Sequence, residues 1–249
     1  MCPDRVADVT LTEEVKMVTR VTYHGHACFL LEREGTSVLI DPFLSGNPVV
    51  TEYPAGLRPT VILVSHAHGD HIGDAVQIAT STGACLVSLP EIAHYATEQG
   101  AAAAAGNMGG RVNFDFGFVK FVPAWHSSSL PGAHLSVGTP CGFVVKFFDQ
   151  VFYHTGDTSV FGDMRLIAEL TPVDVALVPI GGLFTMDIPE AVKAVQLIQP
   201  KVVIPMHYNT WPVIEVNPEE FKARVEATTT ARCVILRPGA TWDVDVTEL

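Results

Sequence analysis

Val61-Ile62-Leu63-Val64-Ser65-His66-Ala67-His68-Gly69-Asp70-His71 puts four metal-capable side chains in six positions directly after an apolar run. The apolar run reads as a buried strand and the polar block as the loop that leaves its end. A regular helix could not use the four together, because residues two apart point about 200° apart around it. A loop at a strand end can turn His66 and His68 toward one point, with Gly69 allowing a tight path, while Asp70 and His71 face a second. That spacing predicts two metal ions a few ångströms apart, an arrangement that makes hydroxide at neutral pH and polarises the bond it attacks.

Four ligands do not complete two catalytic metals, each of which takes about three protein groups and shares a water. Three downstream residues each follow a strand-like run: His126 after Val119–Val122, Asp157 after Val151–Tyr153, and His207 after Val202–Ile204. Ligands at strand ends converge along one rim of a layered fold and are held more rigidly than ligands scattered through long loops.

The ordered set His66-Ala67-His68-Gly69-Asp70-His71, His126, Gly156-Asp157-Thr158 and His207 resembles the metallo-β-lactamase-fold superfamily. Tyr23-His24-Gly25-His26-Ala27, Ile40-Asp41-Pro42-Phe43, His126-Ser127-Ser128, Phe184-Thr185-Met186 and Pro205-Met206-His207-Tyr208-Asn209-Thr210 are similar to a narrower group within it. That group is the beta-lactamase-like metal-dependent hydrolases of unassigned substrate, related to L-ascorbate-6-phosphate lactonase. The resemblance spans residues 18–240 and implies an α/β fold: a four-layer αβ/βα sandwich, two mixed sheets face to face with helices outside. It also implies that His66, His68 and His126 hold one divalent metal, that Asp70, His71 and His207 hold a second, and that Asp157 bridges them. Zinc comes first among the metals, with manganese, nickel or iron also suited. Asp70 carries the catalytic expectation, orienting the bridging hydroxide or taking its proton. Leu183 departs from the pattern, standing where many relatives have a polar residue.

The remaining histidines divide. His94 and His134 match no ligand position. His24 and His26 occupy a turn after a strand and are candidates for holding a ligand or touching substrate, as are His154, three positions before Asp157, and Asn209, just after His207. Asp41 is a candidate to accept a ligand histidine's N–H, which would fix its tautomer; the plainer reading is a turn-initiating Asp-Pro. Ser127 and Ser128 read as braces for the loop that aims His126. Gly181–Asp187 and Asn209–Trp211 read as pocket walls.

The 249 residues, 48% hydrophobic, suffice for one large packed domain, expected at 18–249 after an N-terminal extension at 1–17. No apolar run approaches the roughly 18–20 residues that cross a membrane, and the start lacks a signal-peptide layout. Five widely spaced cysteines without a CxxC argue against a disulfide framework and fit a reducing cytoplasm. A formal net charge of -12 and the lack of a basic cluster oppose a nucleic-acid partner and favour a small-molecule substrate. A homo-oligomer is compatible with all of this. The reading is thus a dinuclear metal-dependent hydrolase, using a bridging hydroxide on an ester, lactone, amide or phosphoester bond. Its rivals are a non-catalytic metal-bound sensor or scaffold, a nuclease of the same superfamily, and an iron oxidoreductase at the same ligands.

Periodicity predicts strands at 18–23, 27–32, 37–41, 61–64, 84–88, 117–122, 142–148, 151–154, 174–178, 202–205 and 232–236. Helices are predicted at 72–80, 90–99, 160–170, 189–199 and 217–227. The Ala101–Ala105 run, followed by Gly106-Asn107-Met108-Gly109-Gly110, reads as a helix end or a mobile loop.

Overall fold

Alternate residues of the apolar runs face opposite ways, and both faces are buried. Val38 and Ile40 point to one packed layer and Leu39 to another; so do Val61 and Leu63 against Ile62, and Val175 and Leu177 against Ala176. A strand covered on both faces has no polar alternation to show, which is why these runs read as continuous apolar stretches.

The computed structural model describes residues 18–132 and 136–244. The extension expected at 1–17, Cys2 and His134 lie outside the described residues. The first sheet contains β1 (Thr19–Gly25), β2 (Cys28–Arg33), β3 (Thr36–Ile40), β4 (Val61–Leu63), β5 (Cys85–Ser88), β6 (Ala103–Ala105) and β14 (Thr241–Val244), in the order β14-β1-β2-β3-β4-β5-β6. The second contains β7 (Arg111–Phe114), β8 (Gly117–Pro123), β9 (Cys141–Phe147), β10 (Gln150–His154), β11 (Val175–Pro179), β12 (Val202–Met206) and β13 (Arg232–Cys233), in the order β13-β12-β11-β10-β9-β8-β7. Each sheet is antiparallel through its hairpins and parallel through its crossovers.

Phe29, Leu31, Val38, Ile40 and Leu63 of the first sheet pack against Phe121, Phe143, Val145, Leu177 and Ile204 of the second, forming the central core. The outer face of the first sheet is covered by α2 (Ala75–Thr82) and α3 (Pro90–Glu98), whose Ile78, Ile92 and Ala96 meet Leu39, Ile62 and Leu86. α4 (Met164–Leu170), α5 (Ile188–Ile198) and α6 (Pro218–Thr228) cover the second, through Met164, Ala191, Val195 and Phe221. Helices and sheets therefore stack as the four-layer αβ/βα sandwich. No helix among the described residues is long and apolar enough to cross a membrane.

Several elements differ from the periodicity reading. The helix predicted over 72–80 is two pieces, α1 (Gly69–Ile72) and α2, broken at Gly73. Gly73 has φ +37, and a Cβ there would run into the backbone of Pro42 and Phe43, so the chain must turn where the apolar spacing continues. Ala103–Ala105 is the parallel edge strand β6 beside β5, not a helix end or loose loop. Alanine has little intrinsic strand preference, so pairing with β5 decides its state. Finally, β7 and β14 are edge strands that alternate polar and apolar residues over only four positions each, too short a run to stand out in the sequence.

Candidate metal centre

Strand direction gathers the polar residues. β1, β3 and β4 run in one sense within the first sheet, and β8, β10, β11 and β12 share a sense within the second. His26 follows the end of β1, Asp41 the end of β3, His66 that of β4, His126 that of β8, Asp157 that of β10 and His207 that of β12. After His66 the chain bends at Ala67 and His68, then makes the single helical turn α1, which carries Asp70 and His71. The block between 66 and 71 is thus half loop and half helix, and the change of geometry at Gly69 lets neighbouring residues address different points.

Within each of three groups, one donor atom per residue lies within 4.8 Å of the others: His66, His68 and His126; His26, Asp70, His71 and His207; and His66, His71 and Asp157. The structure therefore brings together all seven residues expected to hold metal, and adds His26. Asp157 Oδ2 sits 3.0 Å from His207 Nε2, 3.2 Å from His71 Nε2 and 3.5 Å from His126 Nε2, between the first two groups.

Hydrogen bonds behind the rings determine which nitrogens face inward. Asp41 is fully buried and accepts three bonds: from the Ser65 amide at 2.8 Å, the Ser65 hydroxyl at 2.6 Å and His71 Nδ1 at 2.8 Å. His71 thus carries a proton on Nδ1 and turns Nε2 toward Asp157. Because Ser65 Oγ gives its proton to Asp41, it can only accept from His66 Nδ1, 3.0 Å away. His66 Nε2 is then a lone pair aimed into the cluster, 3.0 Å from His68 Nδ1. Either His68 donates to that lone pair or the two nitrogens share a cation. A carboxylate behind a ligand histidine fixes its tautomer and raises its basicity.

The charges follow from burial and from these contacts. Burial pushes the pKa of His66 well below the ordinary histidine value, and lowers His68 and His126. His26 is drawn down to about 4 by burial and by His207. Burial also opposes a charge on His71, but Asp157 and Asp41 on either side outweigh it and raise its pKa well above the usual value. For Asp157, burial favours the neutral acid, while His207 and His71 hold it well below the usual carboxylate range. Asp70 is likewise held low, against burial, by its hydrogen bond from His26 and the charge of His71.

The other candidates are placed differently. His154 donates from Nε2 to the carbonyl of Ala27 at 3.0 Å, and its Nδ1 accepts the Gly156 amide at 3.1 Å. It braces the turn before Asp157 without touching a ligand. Gly156 itself has φ +63, and a Cβ there would strike the Cys141 carbonyl. Asn209 is exposed and accepts the Val216 amide at 2.8 Å, which closes the turn around Pro212–Ile214. His24 joins none of the three groups. Ser128 ties the loop after His126 down, accepting the Ala67 amide at 3.1 Å and donating to the Val137 carbonyl at 2.6 Å. Leu183 and Phe184 are exposed on the turn closed by Gly182 and Met186. Sequence reasoning missed Ser65 and read Thr210 as part of a pocket wall, not as a partner of His26. Each neighbours a candidate histidine or motif, but only the folded geometry reveals its bond.

Comparison with known proteins bears directly on this centre. A family model described as a beta-lactamase superfamily domain matches residues 20–207, a span that contains every residue of the cluster. A UPF0173 metal-dependent hydrolase from Thermococcus kodakarensis is 50% identical over 224 residues, covering 89% of this chain and 98% of its own. The chain belongs to this family. Another UPF0173 metal-dependent hydrolase, from Pelotomaculum thermopropionicum, is 46% identical over 228 residues and is covered in full. Among solved structures, a metallo hydrolase of the hyperthermophilic archaeon Ignicoccus hospitalis is 37% identical, with a TM-score of 0.84 over 92% of this chain and 99% of that one. The metallo-β-lactamase sandwich is thus the fold of the family, and the chain is a metal-dependent hydrolase of that fold.

Proposed function

We propose that this chain is a hydrolase whose cluster holds two divalent cations, zinc first, with manganese, nickel or iron also compatible with nitrogen and oxygen donors. We infer that it cleaves an ester, lactone, amide or phosphoester bond of a small molecule. The observation that carries this reading is the convergence of two donor groups, His66–His68–His126 and Asp70–His71–His207, with Asp157 between them.

The donor set fits such cations. Among the described residues, His71 Nε2, Asp157 Oδ1 and His207 Nδ1 are buried with no well-formed hydrogen bond, His71 Nε2 lying 3.2 Å from Asp157 Oδ2. Leaving one such group unpaired costs about 1–3 kcal/mol. Their coincidence in one cluster of potential donor atoms is what a cation would satisfy, taking the place of the proton that Asp157 and Asp41 otherwise hold on His71. When bound, a cation pair supplies a shared hydroxide near neutral pH and an electrophile for the bond under attack.

The chain's own residues then have distinct tasks. Asp41 and Ser65 keep His71 and His66 in the tautomers that present Nε2 inward. Asp157, ionised despite its burial, offsets the repulsion between two cations. Asp70, whose Oδ2 is engaged by His26, has Oδ1 left to orient the attacking water and accept its proton. The formal charge of -12 supports a small substrate over a nucleic acid.

Elemental analysis of purified protein tests the metal reading, with about two ions per chain expected on the three-ligand pattern. A panel of lactones, sugar-phosphate lactones, phosphodiesters, thioesters and β-lactams, assayed with and without chelator, tests the chemistry. Metal-free protein of unchanged activity, or metal-bound protein inert on every small molecule but active on RNA, would refute it.

A further inference from the structure

His26 stands at the first position of the two-residue loop between β1 and β2, with φ +57. A left-handed residue there costs least as glycine or asparagine. Histidine is neither, and a side chain held at a strained backbone position invites a functional explanation.

The contacts of His26 are specific. It is fully buried. Its Nδ1 lies 2.8 Å from Thr210 Oγ1 and its Nε2 lies 3.2 Å from Asp70 Oδ2. Its carbonyl accepts the His207 amide at 2.6 Å and the Tyr23 hydroxyl at 3.1 Å. The ring lies 3.9 Å from that of His207 and meets Trp211 edge-on at 5.0 Å. One residue thus joins a hairpin of the first sheet to the end of β12 in the second, beside two of the proposed ligands.

Two roles suit this geometry. As a ligand, His26 would turn a lone pair on Nε2 inward, with Nδ1–H donating to Thr210. As a positioning residue, it would donate Nε2–H to Asp70, with Thr210 donating to Nδ1. Asp70, His71, His207 and Asp157 already make four donors for one cation, the usual complement for zinc. His71 and His66 are each held from behind, by Asp41 and Ser65, and among the described residues Asp70 has His26 as its one side-chain hydrogen-bond partner. We propose that Thr210, His26 and Asp70 form a hydrogen-bonded relay in which His26 is the positioning residue that aims Asp70, and not a metal ligand. The relay rests on the metal-centre reading above. It anchors Asp70 Oδ2 and leaves Oδ1 as the oxygen available to a cation or its water.

Glutamine and alanine separate the two roles, because the glutamine amide keeps an N–H near the place of Nε2 but has no imidazole lone pair. Chelator-stripped parent, His26→Gln, His26→Ala, Thr210→Ser and Thr210→Val are titrated calorimetrically with zinc, and the visible spectra of their cobalt(II) forms are compared. Thermal unfolding of the stripped proteins shows which variants are folded. Removing a residue that orients a ligand lowers metal affinity about 10–100-fold. The relay predicts that loss for the weaker zinc of His26→Ala and a smaller one for Thr210→Val, with stoichiometry still two. It also predicts recovery to near the parent in His26→Gln and Thr210→Ser, and parent-like cobalt spectra throughout. Loss of one zinc equivalent in His26→Gln, or a changed cobalt spectrum there, would make His26 a ligand and overturn the relay. Parent-like zinc affinity in folded His26→Ala would overturn it too. A parent that takes up no zinc would fail differently, removing the metal centre itself and the relay with it.

Discussion

Asp41→Asn isolates the carboxylate behind the centre while disturbing its backbone least. Asp41 has φ +44, a region asparagine tolerates as well as aspartate, so strain is nearly cancelled. The side chain now accepts from the Ser65 amide, the Ser65 hydroxyl and His71 Nδ1. An amide has one oxygen: if it takes the Ser65 amide, its NH2 faces the Ser65 hydroxyl, which can turn its own proton to His66 Nδ1, and the His71 N–H, which loses its acceptor. Breaking one buried charged pair of this kind costs about 3–5 kcal/mol, and among the described residues His71 Nδ1 bonds to Asp41 alone. Urea unfolding of the chelator-treated protein should show that loss. His71 also loses the bond that orients Nε2, so zinc affinity should fall about 10–100-fold, read by calorimetric titration. A variant within about 0.5 kcal/mol of the parent, the ordinary range for an inconsequential substitution, with unchanged zinc affinity, would refute the role given to Asp41.

Asp70→Asn should lower turnover of the best panel substrate on the order of 10²–10⁴-fold, the effect of removing a positioned acid–base group, with metal content measured in the same sample to separate chemistry from occupancy. Metal-free protein should lose stability on acidification below about pH 6.5. His24, His26, His66, His68, His126 and His154 have lowered native pKa values, so the unfolded chain binds more protons there and stability falls with pH. His71, raised in the native state, works the other way and loses its contribution only as pH climbs through that raised value; a urea series from pH 8 to pH 5 that shows constant stability would contradict this balance. Gly181→Ala should push back His207, because the added Cβ meets the His207 carbonyl and the Ile214 side chain; a cost of about 1–3 kcal/mol from overpacking and reduced zinc binding are expected, by unfolding and calorimetry. Phe143→Ala, at the buried centre between the sheets, should cost about 3–5 kcal/mol by the same unfolding measurement.

The sequence by itself determined the elements whose signal is local. Val61–Leu63, Val175–Pro179 and Val202–Met206 are long enough in apolar residues to read as strands, and the spacing of His66, His68, Asp70 and His71 carries its chemistry within six positions. Tertiary structure decided what depends on a neighbour distant in the chain. β6 is a strand because β5 supplies hydrogen bonds that three alanines do not call for, and the helix after His71 breaks because the backbone of Pro42 and Phe43 leaves no room for a Cβ at Gly73. The same holds for the centre. A candidate ligand histidine is legible in its spacing, but its tautomer belongs to Asp41 and Ser65, and the bond from His26 to Asp70 spans 44 positions and joins a hairpin turn to a helical turn. Hydrogen bonds are made across space at about 3 Å, and no periodicity along the chain encodes which distant oxygen will lie at that distance.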